Sequence, residues 1–216
     1  INAMLNLALC YDKGDGVSQD KKKAFELYQR AADMGNTDAM FNLGVCYENG
    51  DGVPQDKKKA FELYEKASHR DNTDAMLYLA FCYKNGYCVS QNKKKAFEWF
   101  QWASELGNTD AMVNLGLCYK KGDGVTSDKK KAIELYKKAT GMGSAHAMFN
   151  LALCYSKGDG VPQDKKKVIE LYQQAAELGH THALAQLDRQ GKKNRKQHRH
   201  KKRYLRHSFG QIEPDD

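Results

Sequence analysis

Three kinds of side chain in this 216-residue chain are spaced as reactive groups would be: thiols, serine and lysine pairs, and clustered cations. Of six cysteines, five stand at Cys10, Cys46, Cys82, Cys118 and Cys154, each 36 residues after the last, and Cys88 is the sixth. Such thiols serve as disulfides, metal ligands, nucleophiles or buried hydrophobes. No CxxC pair supplies a zinc spacing, and no partnered histidine marks a nucleophile. The expectation is that the cysteines in register are small buried hydrophobes, as free cysteine usually is. Ser18 with Lys21, and Ser90 with Lys93, match the SxxK spacing of serine acyl-transfer enzymes. The same loop position is Pro54 and Pro162 in other copies, no KTG follows, and serine is common just ahead of a helix. No GxxxxGK phosphate loop is present, and the GDG glycines are explained by the turn they make. The chain is therefore read as a non-enzyme with no catalytic residue, no metal and no cofactor.

The cations fall into two groups. Lysine triplets recur at Lys21 to Lys23, Lys57 to Lys59, Lys93 to Lys95, Lys129 to Lys131 and Lys165 to Lys167. Positive charge at a helix start opposes the macrodipole, so helix propensity does not explain them. They form either a solvated face offset by Glu26, Glu62, Glu98, Glu134 and Glu170 one turn on, or a basic ridge for an acidic partner or membrane surface. Residues 191–216 hold nine Lys or Arg against three acids, a net of +6 within the chain's +8. That segment has too few apolar residues to fold and reads as a disordered basic tail. Lys192, Lys193, Arg195, Lys196, Arg199, Lys201, Lys202 and Arg203 are its candidate polyanion-binding residues. They support the runner-up function, a polyanion- or nucleic-acid-associated protein, with an anionic membrane as the other target of such a tail.

Behind both groups stands one unit written five times, over residues 1–36, 37–72, 73–108, 109–144 and 145–180, with a degenerate capping helix over 181–190. A period of this length predicts a stacked array in which each unit buries its apolar face against the next. In the second unit Ala39, Met40, Leu43, Gly44 and Tyr47 recur at helical spacing, and Gly50 stops the helix. After GDGVPQ, Asp56 caps a second helix whose stripe is Ala60, Phe61, Leu63, Tyr64 and Ala67. The equivalent caps are Asp20, Asn92, Asp128 and Asp164. The column Ala8, Gly44, Ala80, Gly116 and Ala152 is small enough to let helices approach to about 8 Å. Gly35, Gly107, Gly143 and Gly179 supply the left-handed residue after the second helix, and Asp71 in their column predicts a different ending for the second unit. Ala183, Leu184 and Leu187 are the expected apolar face of the cap. The fold class is all-α, a solenoid of five helix-turn-helix repeats followed by a basic tail from residue 191. Equivalent cysteines in such a stack lie about 8 to 10 Å apart, beyond the roughly 5.5 to 6 Å that a disulfide needs.

The unit AMFNLGVCYENGDGVPQDKKKAFELYEKAS resembles the Sel-1-like repeat (SLR), with Ala39, Leu43, Gly44, Tyr47, Gly50, Gly52, Val53, Lys59, Ala60, Tyr64 and Ala67 on its signature positions. The third unit departs from the pattern, with Tyr87 and Cys88 where Asp51 and Gly52 stand in the second. The resemblance implies a right-handed superhelix related to the tetratricopeptide repeats and acting as an adaptor in protein complexes. A cysteine-rich secreted branch of that family pairs two cysteines within each unit, whereas here only Cys82 and Cys88 share one. By the same likeness the first helices line a concave face. That places Asn6, Asn42, Tyr78, Asn114 and Asn150 along an inner groove, where amides can donate to and accept from a peptide backbone. Beside them run Leu5, Phe41, Leu77, Val113 and Phe149, and Leu9, Val45, Phe81, Leu117 and Leu153, which either receive partner side chains or seal one repeat to the next. Trp102 takes the place of Arg30, Lys66, Lys138 and Gln174 in a column expected to face water, and is read as a binding anchor or as repacking around Trp99 and Phe100. The favoured function is a protein-protein interaction scaffold that binds a protein or extended peptide as a monomer. Free thiols suit a reducing intracellular compartment, cytoplasmic or nuclear, while a start at Ile1 in mid-repeat leaves secretion open. Thiol counting under denaturing, non-reducing conditions is expected to find six free thiols in freshly prepared protein; four or fewer overturns the buried-hydrophobe reading.

Overall fold

The computed structural model describes residues 1–189 and 191, and among them helices and turns only. The candidate residues Lys192, Lys193, Arg195, Lys196, Arg199, Lys201, Lys202 and Arg203 lie outside the described residues. The first helices of the repeats are α1 (Asn2–Lys13), α3 (Thr37–Asn49), α5 (Thr73–Asn85), α7 (Thr109–Lys121) and α9 (Ala145–Lys157). The second helices are α2 (Lys21–Asp33), α4 (Lys57–Ser68), α6 (Lys93–Glu105), α8 (Lys129–Gly141) and α10 (Lys165–Glu177). A last helical stretch, α11, covers 181–189. No described helix is long and apolar enough to cross a membrane.

The helix boundaries follow from side chains that satisfy free backbone groups. Asp20, Asp56, Asn92, Asp128 and Asp164 accept backbone N–H groups in the first turns of α2, α4, α6, α8 and α10 at 3.0 or 3.1 Å. The first helices carry caps of their own, which the sequence reading did not single out. Asn36, Asn72, Asn108 and Ser144 accept from the amides of Ala39, Ala75, Ala111 and Ala147. At the other end Gly14, Gly50, Gly86, Gly122 and Gly158 close the first helices in the left-handed conformation, each donating to the carbonyl of the cysteine four residues back. Asp71 does adopt a φ of 60°, and α4 ends at Ser68, one residue short of the others. The turn nevertheless closes as elsewhere, with Asn72 N–H on the Ala67 carbonyl at 3.3 Å.

The chain divides within α8 into two compact units, Ile1–Leu135 and a second that begins at Tyr136. In the first, the small-residue column does what its composition predicts: a methyl group on Gly44 would run into the ring of Tyr64, which is 1% exposed. Ala8 and Ala80 are fully buried in the same column, and Phe100 fills the place of Tyr64 in the third repeat. Full burial of such a ring contributes on the order of 2 to 3 kcal/mol. Edge-on aromatic pairs tie successive repeats: Phe25 with Tyr47, Phe61 with Tyr83 and Phe97 with Tyr119. In the second unit Met148, Leu151, Ala152, Tyr172 and Ala175 are buried, as is Ala183 of α11. Leu184, expected on the apolar face of the cap, is exposed; it lies about 100° around the helix from Ala183, whereas Leu187, one turn on, shares its side.

His180 stands in the register of the caps Asn36, Asn72, Asn108 and Ser144, and its Nδ1 accepts the Ala183 amide at 3.2 Å. Its ring stacks on Phe149 at 4.6 Å, with His146 at 5.1 Å and His182 at 5.9 Å. Burial, and then the neighbouring His146 and His182, hold the His180 pKa below the usual histidine value. A depressed histidine pKa means that the unfolded chain binds more protons, so this stability is present above the ordinary value near 6.5 and is lost as pH falls through the folded value. Protonation at Nδ1 also removes the acceptor that caps α11, and a lost cap costs about 1 kcal/mol. As pH is lowered from 7.5, exchange protection of the Ala183 amide, corrected for intrinsic rates, is expected to fall only below the ordinary histidine value near 6.5, by at most about fivefold, and His180→Asn to abolish that dependence. Protection that stays constant down to the acid unfolding of the chain would remove His180 as the controlling group.

Candidate binding surfaces

Asn42, Asn114 and Asn150 share one arrangement. Each side-chain amide donates to the carbonyl four residues back on its own helix, at 2.9, 2.9 and 2.8 Å, to Asp38, Asp110 and His146. One N–H is thus committed, the rotamer is fixed, and the amide keeps a second N–H and a carbonyl oxygen for another group. At Asn114 that oxygen already meets Lys84 Nζ at 3.5 Å. Asn6 is exposed, while Tyr78 is half-buried with its ring 5.3 Å from both Phe41 and Tyr64. Of the flanking apolar columns, Leu77 and Val113 are buried, and Phe81 packs edge-on against Phe100 at 5.4 Å. Phe41, Val45, Leu117, Phe149 and Leu153 remain half-buried, with Phe149 committed to Tyr172 and His180. Trp102 lies on α6, a second helix, apart from the Asn row on the first helices. It is 48% exposed, and its ring stands perpendicular to that of Trp99 at 4.8 Å, so it is both open to solvent and held in place.

The lysine triplets have internal partners that the sequence did not reveal. In the first and third triplets the first lysine reaches the loop of the following repeat: Lys21 Nζ lies 3.5 Å from Asp51, and 2.8 Å from Asp12 of its own repeat, and Lys93 Nζ lies 2.7 Å from Asp123. The third lysine sits over the tyrosine that ends the first helix of its own repeat, at 5.0 to 5.3 Å in the pairs Lys23 with Tyr11, Lys59 with Tyr47, Lys95 with Tyr83, Lys131 with Tyr119 and Lys167 with Tyr155. Lys23, Lys59 and Lys167 also pair with the cap aspartates Asp20, Asp56 and Asp164. A glutamate one turn on takes part at Lys166 and Glu170, 3.8 Å apart. The triplet is therefore held by contacts inside the array, across repeats at Lys21 and Lys93 and within one repeat at the third lysine. The same contacts occupy the lysines of the SxxK pairs. Hydrogen bonds to Asp12 and to Asp123 raise the pKa values of Lys21 and Lys93, against what a general base requires.

Where the loop meets the preceding helix the chains touch backbone to backbone. A Cβ on Gly52 would overlap the Lys21 carbonyl, and one on Gly124 the Lys93 carbonyl. The third repeat has Cys88 at this position. Its loop still keeps the common hydrogen bonds, Tyr87 N–H to the Cys82 carbonyl and Asn92 N–H to the Tyr83 carbonyl, because Cys88 accepts the left-handed conformation at φ 61°. Its thiol points at the Lys57 carbonyl, 3.3 Å away. Burial pushes the thiols of Cys46 and Cys82 up to about 12 and that of Cys118 up to about 11. Such thiols remain protonated at neutral pH and are poor nucleophiles.

Comparison with known families gives one clear match. The model of the family described as "Sel1 repeat" fits residues 1–36, 37–72, 73–108, 109–144 and 145–180, the same register as the internal period. Among solved structures, a Sel1 repeat protein from Oxalobacter formigenes is 33% identical, with a TM-score of 0.82 over 86% of this chain and 76% of that one. A protective antigen of uropathogenic Escherichia coli displaying an SLR fold is 28% identical, with a TM-score of 0.71 over 84% of this chain and 39% of that one. An immunity protein of Pseudomonas aeruginosa, 24% identical with a TM-score of 0.61 over 84% of this chain and 67% of that one, shares the fold. Curated proteins give no match.

The backbone contact at Gly52 and Gly124 has an internal control, since Gly16 has a φ of 72° like theirs but meets nothing within 4 Å. Alanine at any of the three carries left-handed strain of about 1 to 2 kcal/mol. Only Gly52→Ala and Gly124→Ala add the clash, so their melting temperatures are expected to fall at least twice as far as that of Gly16→Ala. Equal shifts would show that the close approach contributes nothing to the stack.

Proposed function

The chain belongs to the Sel1 repeat family, whose members mediate protein-protein interactions, and from that premise we propose that it is a monomeric scaffold gripping an extended polypeptide along its first helices. The observation that carries this reading is the shared geometry of Asn42, Asn114 and Asn150, each anchored to its own helix with polar capacity to spare. A side chain fixed before binding loses less rotamer freedom when the partner arrives. On this reading Asn6 and Tyr78 extend the row, and the half-buried Phe41, Val45 and Leu117 give apolar contact beside it. The face is the one that the related tetratricopeptide repeats turn inward. Trp102 serves as a separate anchor on α6. The family is a scaffold family without enzymatic activity, and the function proposed here needs no cofactor. Six cysteines with no disulfide among them suit a reducing compartment.

The test is the triple substitution Asn42→Ala, Asn114→Ala and Asn150→Ala, with the partner first captured by cross-linking and identified by mass spectrometry. Binding is expected to weaken at least tenfold while the melting temperature stays within about 3 °C, a shift on the order of 1 kcal/mol for a chain of this size. Retained affinity, or loss of the fold, would sink the proposal.

A further inference from the structure

Three successive repeat junctions in the first unit present the same elements, and the middle one is built differently. At the first and third junctions a loop aspartate lies on the leading lysine of the preceding second helix, Asp51 on Lys21 and Asp123 on Lys93, and a glycine lets the loop lie against that helix. At the second, Tyr87 and Cys88 take the two places. Among the described residues no carboxylate pairs with Lys57, and Tyr87 is 57% exposed. A pocket of about 340 Å³ opens there, lined by Phe61, Tyr64, Tyr87 and Cys88 together with Lys57 and Glu48. Its counterpart at the third junction, about 200 Å³, includes Lys93 and Asp123 among its walls. Glu48 is engaged by the Tyr64 hydroxyl at 2.6 Å.

We propose that this pocket receives a carboxylate side chain of a partner polypeptide, with Lys57 binding it as Lys21 and Lys93 bind the loop aspartates, and with the exposed Tyr87 ring packing on the partner's adjoining backbone. This rests on the scaffold reading for the partner being a polypeptide. The chain itself supplies the pattern for the occupant, since at both neighbouring junctions the group on the lysine is the aspartate of an Asp-Gly segment. One ammonium group beside Glu48 suits a singly charged carboxylate better than a doubly charged phosphate, which Glu48 would repel. The volume stands near the lower end of ligand sites, about 300 Å³, enough for one side chain and its flanking backbone. Phe61, Tyr64 and Tyr87 give that backbone an apolar bed.

The probe is the second repeat's own loop as a capped peptide, acetyl-Asn-Gly-Asp-Gly-Val-Pro-amide, with a control carrying Asn for Asp, titrated into the full chain and followed by the amide resonances of Tyr87 and Cys88. The Asp peptide is expected to bind at least fivefold more tightly than the control, and Lys57→Gln to erase that difference. The double variant Tyr87→Asp with Cys88→Gly rebuilds the neighbouring junctions. It is expected to lose peptide binding without any fall in melting temperature, which separates closure of the pocket from loss of the fold. No saturable shift at these amides, equal affinity of the two peptides, or an unchanged preference in Lys57→Gln would each overturn the proposal. The triple Asn variant keeps the failures apart: it is expected to bind the probe as the parent does, so a failed inner row leaves this titration standing. Loss of probe binding in that variant would count against a separate pocket.

Discussion

The contact on which the rest of the first unit depends is the seating of each loop against the start of the preceding second helix. Its closeness is set by the absence of a side chain at Gly52 and Gly124. Once the backbone lies there, the adjacent aspartate falls within reach of the leading lysine, while the pairing of the tyrosine that ends the first helix with the phenylalanine of the repeat before it recurs at all three junctions. None of these partners is local in sequence. Lys21 and Asp51 are 30 residues apart, so each contact exists only when two repeats are stacked, which is how such arrays come to depend on their neighbours.

Seen this way the lysine triplet resolves an apparent contradiction. Three positive charges at a helix start oppose the macrodipole, and a sequence argument alone leaves only a solvated face or an external anion to compensate. The structure supplies internal compensation instead. Backbone amides of the first turn hold the Asp20 and Asp164 carboxyls below the usual carboxylate range, which keeps negative charge at those helix starts. Asp12, Asp51 and Asp123 take leading lysines, and tyrosine faces take the trailing ones.

Most of the fold was legible because it is periodic. The repeat register, the caps at Asp20 and its equivalents, the small column at Gly44 and the left-handed column at Gly35 each rest on a rule relating one residue type to one backbone position. The caps of the first helices obey the same rule, since Asn36, Asn72, Asn108 and Ser144 are standard cap residues, but each is the last residue of the repeat before the helix that it caps. The lysine pairings were not readable, because pairing Lys93 with Asp123 requires knowing which loop lies over which helix. The exposure of Leu184 was a matter of helical phase rather than composition. For the Asn row, sequence gave the column but not the bond from each amide back to its own helix, which changes what a partner has left to meet.

The third repeat shows how a repeated junction can acquire a property of its own without disturbing the fold. Replacing Gly by Cys at a left-handed position carries strain, yet the loop keeps its backbone bonds to Cys82 and Tyr83, so the cost is local. The accompanying change from Asp to Tyr removes the carboxylate that elsewhere neutralises the lysine and puts an aromatic ring in its place, largely in water. The substituted junction keeps one new contact of its own, the Cys88 thiol on the Lys57 carbonyl at 3.3 Å, but among the described residues no other carboxylate takes the Lys57 ammonium group; the same two changes leave a cation, an aromatic surface and a pocket together at one junction. Because Phe61 still meets Tyr83 across this junction, the stack persists there without the lysine–aspartate pair, and one ammonium group is spared from joining repeats.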